Sequence, residues 1–146
     1  MKTVLVVAAH ADDEALGCGG TIARHVEQGD VVHLVLMADG VQSRRGSSES
    51  DLARRIEASK LAQSILGVSS SQSLELPDNK MDSIPLLEIV QKLESILEEI
   101  QPSVIYTHHH GDLNVDHRLT HAAVMTACRP VPGSSVREIY GFEVLS

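Results

Sequence analysis

The chain has 146 residues, a length that predicts one domain. Hydrophobic residues make up 42% of it and charged residues 22%, so it is too apolar to be disordered and is expected to fold. A formal net charge of −8, with only two tyrosines and one phenylalanine, disfavours nucleic acid as a partner, because a polyanion would be repelled and few rings could stack on its bases.

The hydrophobic pattern predicts strands and helices that alternate along the chain. Five strands are predicted, at residues 3–9, 31–37, 74–76, 104–107 and 136–145. Four helices are predicted, at residues 17–28, 51–66, 83–100 and 117–128. Since this order is typical of βαβ units, the sequence predicts a three-layer, Rossmann-like α/β fold with a mostly parallel sheet. No apolar run approaches the ~20 residues of a membrane helix, so no membrane span is expected.

Polar residues follow three of the predicted strands directly. His10, Asp12 and Asp13 come after the first strand, Asp39 and Gly40 after the second, and a histidine-rich stretch after the fourth. In a parallel sheet the carboxyl ends of the strands share one edge, and ligands bind outside that edge. We therefore expect these groups to form one site.

His10 and Asp13 stand three residues apart at a predicted strand-to-helix turn, so both side chains can reach one metal ion. An imidazole and a carboxylate suit zinc, with iron, cobalt or manganese as alternatives. Asp12 must then point elsewhere, and a carboxylate beside a metal-bound water is suited to act as a general base. The alternative is an acidic helix start, in which Asp12, Asp13 and Glu14 only offset the helix dipole.

Histidine is the unusual component of this sequence, since five of its eight histidines lie between residues 108 and 121. His117 and His121 share one face of a predicted helix, a spacing that lets two imidazoles approach one ion. His121 is equally well explained as a surface residue. Asp116 is interpreted either as a helix cap or as the acceptor of a ligand histidine's N–H. Of the run at residues 108–110, we expect one histidine to face the site.

Two motifs resemble those of a known family. Residues 9–14, Ala-His-Ala-Asp-Asp-Glu, resemble the A-H-P-D-D-E signature of the LmbE/PIG-L de-N-acetylases. Residues 112–118, Asp-Leu-Asn-Val-Asp-His-Arg, are similar to that family's D-L-N-x-D-H-R segment. A glycine-rich stretch at residues 17–20 and an Arg54-x-x-Glu57 pair lie between them, so the resemblance covers nearly the whole chain.

The resemblance implies a Rossmann-like enzyme with one zinc ion held by His10, Asp13 and His117. Asp12 would activate the zinc-bound water, and the reaction would remove an acetyl group from an N-acetylglucosamine-type sugar or sugar conjugate. The family also implies that Arg54 and Asp78 bind sugar hydroxyls. From the residues alone, Arg54 is equally well explained as a solvated helix charge near Glu57.

Three departures from the family pattern affect these expectations. Ala11 replaces a proline, which loosens the turn without removing a ligand. Asn114 stands where some members have a histidine that assists the oxyanion or the leaving group, and either its amide donates a hydrogen bond in that role or one of the histidines at residues 108–110 substitutes. Family members usually extend well beyond this length, so residues 1–146 are expected to form a single deacetylase domain that lacks the family's C-terminal part.

Other functions remain open at the level of sequence. A metal-dependent phosphoesterase would use similar residues but favour two ions, and a non-catalytic metal- or sugar-binding fragment would need only the ligands. A nucleotide-binding site is disfavoured, because residues 17–20 lack the G-x-G-x-x-G spacing. The expected partner is a small N-acetylated sugar in the cytoplasm, where two distant cysteines stay reduced and buried, and the sequence is compatible with a homo-oligomer.

Overall fold

A computed structural model of the chain describes residues 1–38 and 49–145. Among these residues five strands are present, β1 (Thr3–Ala8), β2 (Val31–Ala38), β3 (Ser70–Leu76), β4 (Val104–His108) and β5 (Glu138–Phe142). Four α-helices connect them, α1 (Asp13–Glu27), α2 (Glu49–Leu66), α3 (Leu86–Ile100) and α4 (Val115–Ala127), with a short 3₁₀ turn at Met81–Ser83. No helix in this part of the chain is long and apolar enough to cross a membrane.

The described strands form one sheet in the order β3-β2-β1-β4-β5, and every neighbouring pair is parallel. The predicted three-layer, Rossmann-like α/β architecture is confirmed. β1 lies at the centre and pairs on both sides, with Val6 opposite Leu34 of β2 and Tyr106 of β4. Its apolar run is continuous because helices cover both faces of the sheet.

The two faces of the sheet support two separate cores. On one face, Leu5 and Ile105 pack with α3 and α4, represented by Ile89 and Val124. On the other face, alternate residues of β1 pack against α1, which contributes Cys18. Both cysteines are buried free thiols, as predicted. The alternation of side chains along β1 therefore fixes which helices lie on each side.

The element boundaries differ from the prediction where a local contact overrides the propensity of the sequence. α1 begins at Asp13 rather than at residue 17, and it is kinked in the glycine-rich stretch, where the backbone of Cys18 is not helical (φ −145°, ψ 22°). Gly17 is required there, because a side chain at this position would overlap the ring of Phe142. α4 begins at Val115 rather than at residue 117, because the Asn114 side chain caps it. β3 is longer than predicted and β5 is shorter.

The fold brings two loops together at the centre of one sheet edge. The chain passes from β1 to β2 and β3 on one side of the sheet and then returns to add β4 and β5 on the other side. The crevice between β1 and β4 is therefore the topological switch point of the sheet. The loop carrying His10 follows β1, and the histidine-rich segment follows β4. Asp39 and Gly40, expected at the same edge, lie outside the described residues.

Candidate metal centre

Three of the predicted site residues meet at the switch point. The His10 Nδ1 and Asp13 Oδ2 atoms are 3.2 Å apart, the His117 Nε2 and Asp13 Oδ2 atoms 3.1 Å, and the two histidine nitrogens 3.3 Å. A tetrahedral ion with bonds of about 2.0–2.1 Å separates its ligand atoms by about 3.3 Å. The three atoms thus form a triangle of the size that one zinc ion requires, and we call these residues the triad.

Each histidine of the triad is oriented by a carboxylate on its far side. His10 Nε2–H lies 2.8 Å from Asp116 Oδ2 and 3.0 Å from Asp78 Oδ1. His117 Nδ1–H donates to Asp112 Oδ2 over 2.9 Å. Because the far nitrogen of each ring is hydrogen-bonded to a carboxylate, the near nitrogen is the one that faces the triad, where it can ligate a metal ion once its proton is displaced.

Asp116 is itself held rigidly. It is fully buried, and its carboxylate accepts the backbone N–H groups of Asn79 at 2.6 Å and of Met81 at 3.2 Å. Of the two interpretations for Asp116, acceptance from a histidine N–H is confirmed, although the donor is His10 rather than its neighbour in sequence. The helix cap is Asn114, whose Oδ1 accepts the Asp116 N–H at 2.9 Å.

Hydrogen bonds and neighbouring charges shift the pKa of each side chain in the triad. Burial lowers the pKa of His10, but hydrogen bonds to Asp116 and Asp13 outweigh it and raise that pKa to about 10. Burial likewise opposes the charged form of His117, yet its hydrogen bonds to Asp13 and Asp112 raise its pKa. The same histidines hold the pKa of Asp13 far below its usual range, despite its burial. A cation that binds here must displace protons from the histidines.

Asp12 and Asp13 are neighbours in sequence but lie in different surroundings. Asp13 is buried in the triad, whereas Asp12 is exposed and lines an open cleft. The backbone at Asp12 has a φ of 99°, a left-handed conformation that side chains other than glycine rarely adopt, and its N–H donates to Glu14 Oε2 over 3.0 Å. Strained backbone of this kind is typical of functional sites.

Glu14 lies beside the site, and its burial was not predicted from the sequence. It is fully buried, with burial raising the pKa of its carboxyl group. A charge in the first turn of a helix is ordinarily solvated, so the acidic-start interpretation did not anticipate burial. Its place as the last residue of the first motif was the one available signal.

The cleft beside the triad has a volume of about 1230 Å³ and lies between the sheet edge and α2. Asp78 and Asn114, two predicted substrate-binding residues, line it. Arg54 is exposed and is not among the described residues that line the cleft, whereas its neighbour Arg55 is. One helical position, about 100° of rotation, separates their directions, and sequence alone did not fix that phase.

The remaining histidines separate clearly in the structure. His108 is fully buried, and its ring stacks on that of His117 with centroids 3.9 Å apart. His109 is half-buried and His110 is exposed. His121 Nδ1–H donates to the backbone carbonyl of His108 over 2.8 Å, so that nitrogen does not face the triad. Of the run at residues 108–110, His108 is the one that adjoins the site.

Comparison with known proteins identifies related sequences. Residues 5–128 match the model of a family described as PIG-L: GlcNAc-PI de-N-acetylase. The uncharacterized deacetylase YaiS of Escherichia coli is 32% identical over 150 residues, which cover 99% of this chain and 75% of that protein. The diacetylchitobiose deacetylase of Thermococcus kodakarensis is 32% identical over 108 residues, covering 72% of this chain and 40% of that enzyme. The chain therefore spans less than half the length of this second relative.

A solved structure adds a relative of a different activity. The 4-carboxy-2-hydroxymuconate hydratase GalB from Pseudomonas putida is similar with a TM-score of 0.75 and 30% sequence identity. The match covers 87% of this chain and 55% of that one. The chain is thus similar both to proteins named as deacetylases and to one named as a hydratase.

Proposed function

This chain belongs to the PIG-L family of GlcNAc-PI de-N-acetylases, and from that premise we propose that it is a zinc-dependent N-deacetylase. Its substrate is an N-acetylglucosamine-type sugar or sugar conjugate, and the products are acetate and a free amine. The observation that carries the proposal is the triad, whose three ligand atoms lie 3.1–3.3 Å apart beside a cleft that also contains Asp12. Two relatives named as deacetylases support it.

The donor set of the triad suits zinc better than a harder cation. Two imidazoles and one carboxylate are typical of catalytic zinc sites, which keep a further position open. A bound zinc ion would polarise the substrate's amide carbonyl and make water acidic enough to be deprotonated near neutral pH. Iron, cobalt and manganese accept the same donors and remain alternatives in the proposal.

The protein's own residues would then divide the work. Asp12, exposed in the cleft one residue from the triad, would accept the proton of the attacking water and return it to the leaving amine. Asn114 Oδ1 is engaged with the backbone N–H groups of Asp116 and His117, which leaves the amide NH₂ as the group that donates to the substrate. In this role it would stabilise the developing oxyanion.

Sugar recognition is assigned to residues that line the cleft. Asp78 would accept hydrogen bonds from sugar hydroxyls. We propose that the arginine that binds the sugar is Arg55 rather than Arg54, because Arg55 lines the cleft. Small-molecule pockets usually measure about 300–1,000 Å³. The cleft, at about 1230 Å³, has room for a sugar or a sugar conjugate. Two buried, unpaired thiols fit the reducing cytoplasm expected for such an enzyme.

The test combines zinc content with acetate release. We expect the purified chain to hold one zinc ion and to release acetate from N-acetylglucosamine conjugates. Asp12→Asn suits the left-handed backbone and should retain zinc while turnover falls by about 10²–10⁴-fold. Asp82→Asn, the same change at an exposed position, is the matched control and should leave turnover unchanged. Zinc binding with full activity in Asp12→Asn would refute the role of the base.

The geometry disfavours the phosphoesterase alternative. Among residues 1–38 and 49–145, two further histidine–carboxylate groups could hold an ion, but each shares His10 or His117 with the triad. Two ions bound side by side would therefore compete for a ligand, whereas two-metal hydrolysis needs both at once. A zinc content of two per chain would contradict this reasoning.

Hydration is the second candidate function, since GalB is a hydratase of similar fold. Acetate release from the sugar conjugates separates the two, because a hydratase adds water to its substrate and liberates no acetate. If the chain binds one zinc ion and releases acetate, deacetylation stands. Zinc binding without acetate release from any such conjugate would favour hydration or a non-catalytic binding protein.

A further inference from the structure

His108 occupies a place in the centre that the proposed chemistry does not use. It is the last residue of β4, it is fully buried, and its ring lies between two others. The ring of His117 stacks on it at 3.9 Å with an interplanar angle of 18°, and the ring of Phe142 contacts it at 4.7 Å. A histidine enclosed in this way has one orientation available, since any other rotamer would meet a neighbouring ring.

The ring nitrogen nearest the triad is already engaged. His108 Nε2 lies 3.5 Å from Asp13 Oδ2, but it accepts the backbone N–H of Ala9 over 2.9 Å. A nitrogen that accepts an N–H uses its lone pair, so it cannot ligate a metal at the same time, and the ring proton must reside on Nδ1. Burial lowers the pKa of His108 to about 4, which is consistent with a neutral ring.

The hydrogen bond from the Ala9 N–H to His108 extends the pairing of β1 with β4 beyond the end of β1, through a side chain instead of the backbone. Backbone pairing of β1 with β4 reaches Val6 opposite Tyr106, and β1 itself ends at Ala8. On its other side Ala9 is held by β2, because the Ala38 N–H donates to the Ala9 carbonyl over 2.9 Å. His108 supplies the missing contact on the β4 side, so Ala9 is fixed from both directions immediately before His10.

We propose that His108 is a positioning residue that fixes two ligands of the centre, His10 through the Ala9 N–H and His117 through ring stacking. The proposal rests on the proposed function, in that the triad is taken to bind zinc. His108 thereby connects the two sequence motifs through a residue outside both, in addition to the direct His10–Asp116 and Asp13–His117 contacts. Ligand atoms held in advance at the spacing of a zinc site bind the ion more tightly than mobile ones.

The hydrogen bond is tested in the metal-free protein, where zinc plays no part. An N–H···N bond transmits a scalar coupling between the two ¹⁵N nuclei, so a correlation experiment on ¹⁵N-labelled protein should connect the Ala9 amide with His108 Nε2. We expect this coupling, together with slow hydrogen exchange at Ala9. A His108 whose Nε2 shows no such coupling and carries a proton would overturn the proposal without any variant being needed.

The consequence for zinc is tested by competition with a chromophoric chelator. His108→Phe keeps a ring for stacking but removes the acceptor, and we expect it to bind one zinc ion about 10–100-fold more weakly than the parent. His110→Phe makes the same change at an exposed position two residues away and should bind as the parent does. His108→Gln restores an acceptor without the ring, so an intermediate affinity is expected.

The outcomes separate this inference from the proposed function. If the parent binds zinc and His108→Phe binds it equally tightly, the positioning role is wrong and the deacetylase proposal is untouched. If the parent itself binds no zinc, the proposed function fails and this inference fails with it. Weaker binding in His108→Phe, with the coupling present and His110→Phe unchanged, supports the inference.

Discussion

Two glycines of α1 allow a sharp test of the packing that surrounds the centre. A Cβ atom at Gly17 would lie 2.3 Å from Cδ2, 2.8 Å from Cε2 and 3.0 Å from Cγ of Phe142. A Cβ atom at Gly20 would meet nothing within 4 Å. The two residues lie on either side of Cys18, where α1 is kinked and the backbone is not helical (φ −145°), so Gly17→Ala and Gly20→Ala differ in local backbone as well as in what surrounds the added methyl group.

The expected magnitudes follow from two opposing effects. Alanine favours a helix over glycine by about 0.5–1 kcal/mol, and Gly20→Ala should raise the free energy of unfolding by about that amount. Gly17→Ala must displace a buried ring, and overpacking costs about 1–3 kcal/mol. Comparing Gly17→Ala with and without the Phe142 ring keeps the backbone effect of the alanine constant, so that comparison isolates the Phe142 contact at about 1–3 kcal/mol.

The assay is urea unfolding of the parent and both variants, each with the same buffer and zinc content. A Phe142→Leu background supplies a double-mutant cycle, because a smaller side chain should relieve most of the Gly17→Ala penalty. No loss of stability in Gly17→Ala, or an undiminished penalty in the Phe142→Leu background, would refute the close approach between α1 and β5. The contact matters to the centre because Phe142 also packs on His108.

Three further predictions concern charge and reactivity. Because the pKa of His10 is raised to about 10, zinc must displace its proton at neutral pH. The apparent zinc affinity should therefore rise by up to about tenfold per pH unit for each displaced proton and level off near pH 10. A flat profile from pH 6 to 9 in chelator competition would contradict this. Asp116→Asn removes the charge behind His10, so zinc affinity should fall about 10–100-fold and its pH dependence should become shallower, as the same competition measures. Burial raises the pKa of Cys18 to about 12 and of Cys128 to about 11. A thiol reagent at pH 7.5 should therefore label neither cysteine in the folded protein and both in urea. Rapid labelling of the folded protein would show that the thiols are accessible.

The sequence was sufficient for the general architecture. Continuous apolar strands alternating with amphipathic helices require a sheet covered on both faces, and the parallel sheet observed has that form. Spacing grouped His10 with Asp13 and left His117 and His121 as candidates, and the resemblance of the two motifs to a known family then named the full triad. The parallel arrangement of β1 and β4 then brings the two motifs to one edge.

Boundaries were less predictable, since single contacts move them. α1 begins at Asp13, after the left-handed backbone at Asp12, and the start of α4 depends on the capping hydrogen bonds of Asn114. Both boundaries involve geometry that a hydrophobic pattern does not encode.

Tertiary structure alone decided which side chains support the centre. Strand register and helix rotation decided three contacts. His10 pairs with Asp116, which is 106 residues away. His108, rather than His109 or His110, is enclosed beside His117, and Arg55 lines the cleft where Arg54 does not. A shift of one residue turns a strand side chain to the opposite face and a helix side chain by about 100°. The amino-acid sequence therefore determined which chemical groups are available near the sheet edge, and long-range packing determined which of them face one another.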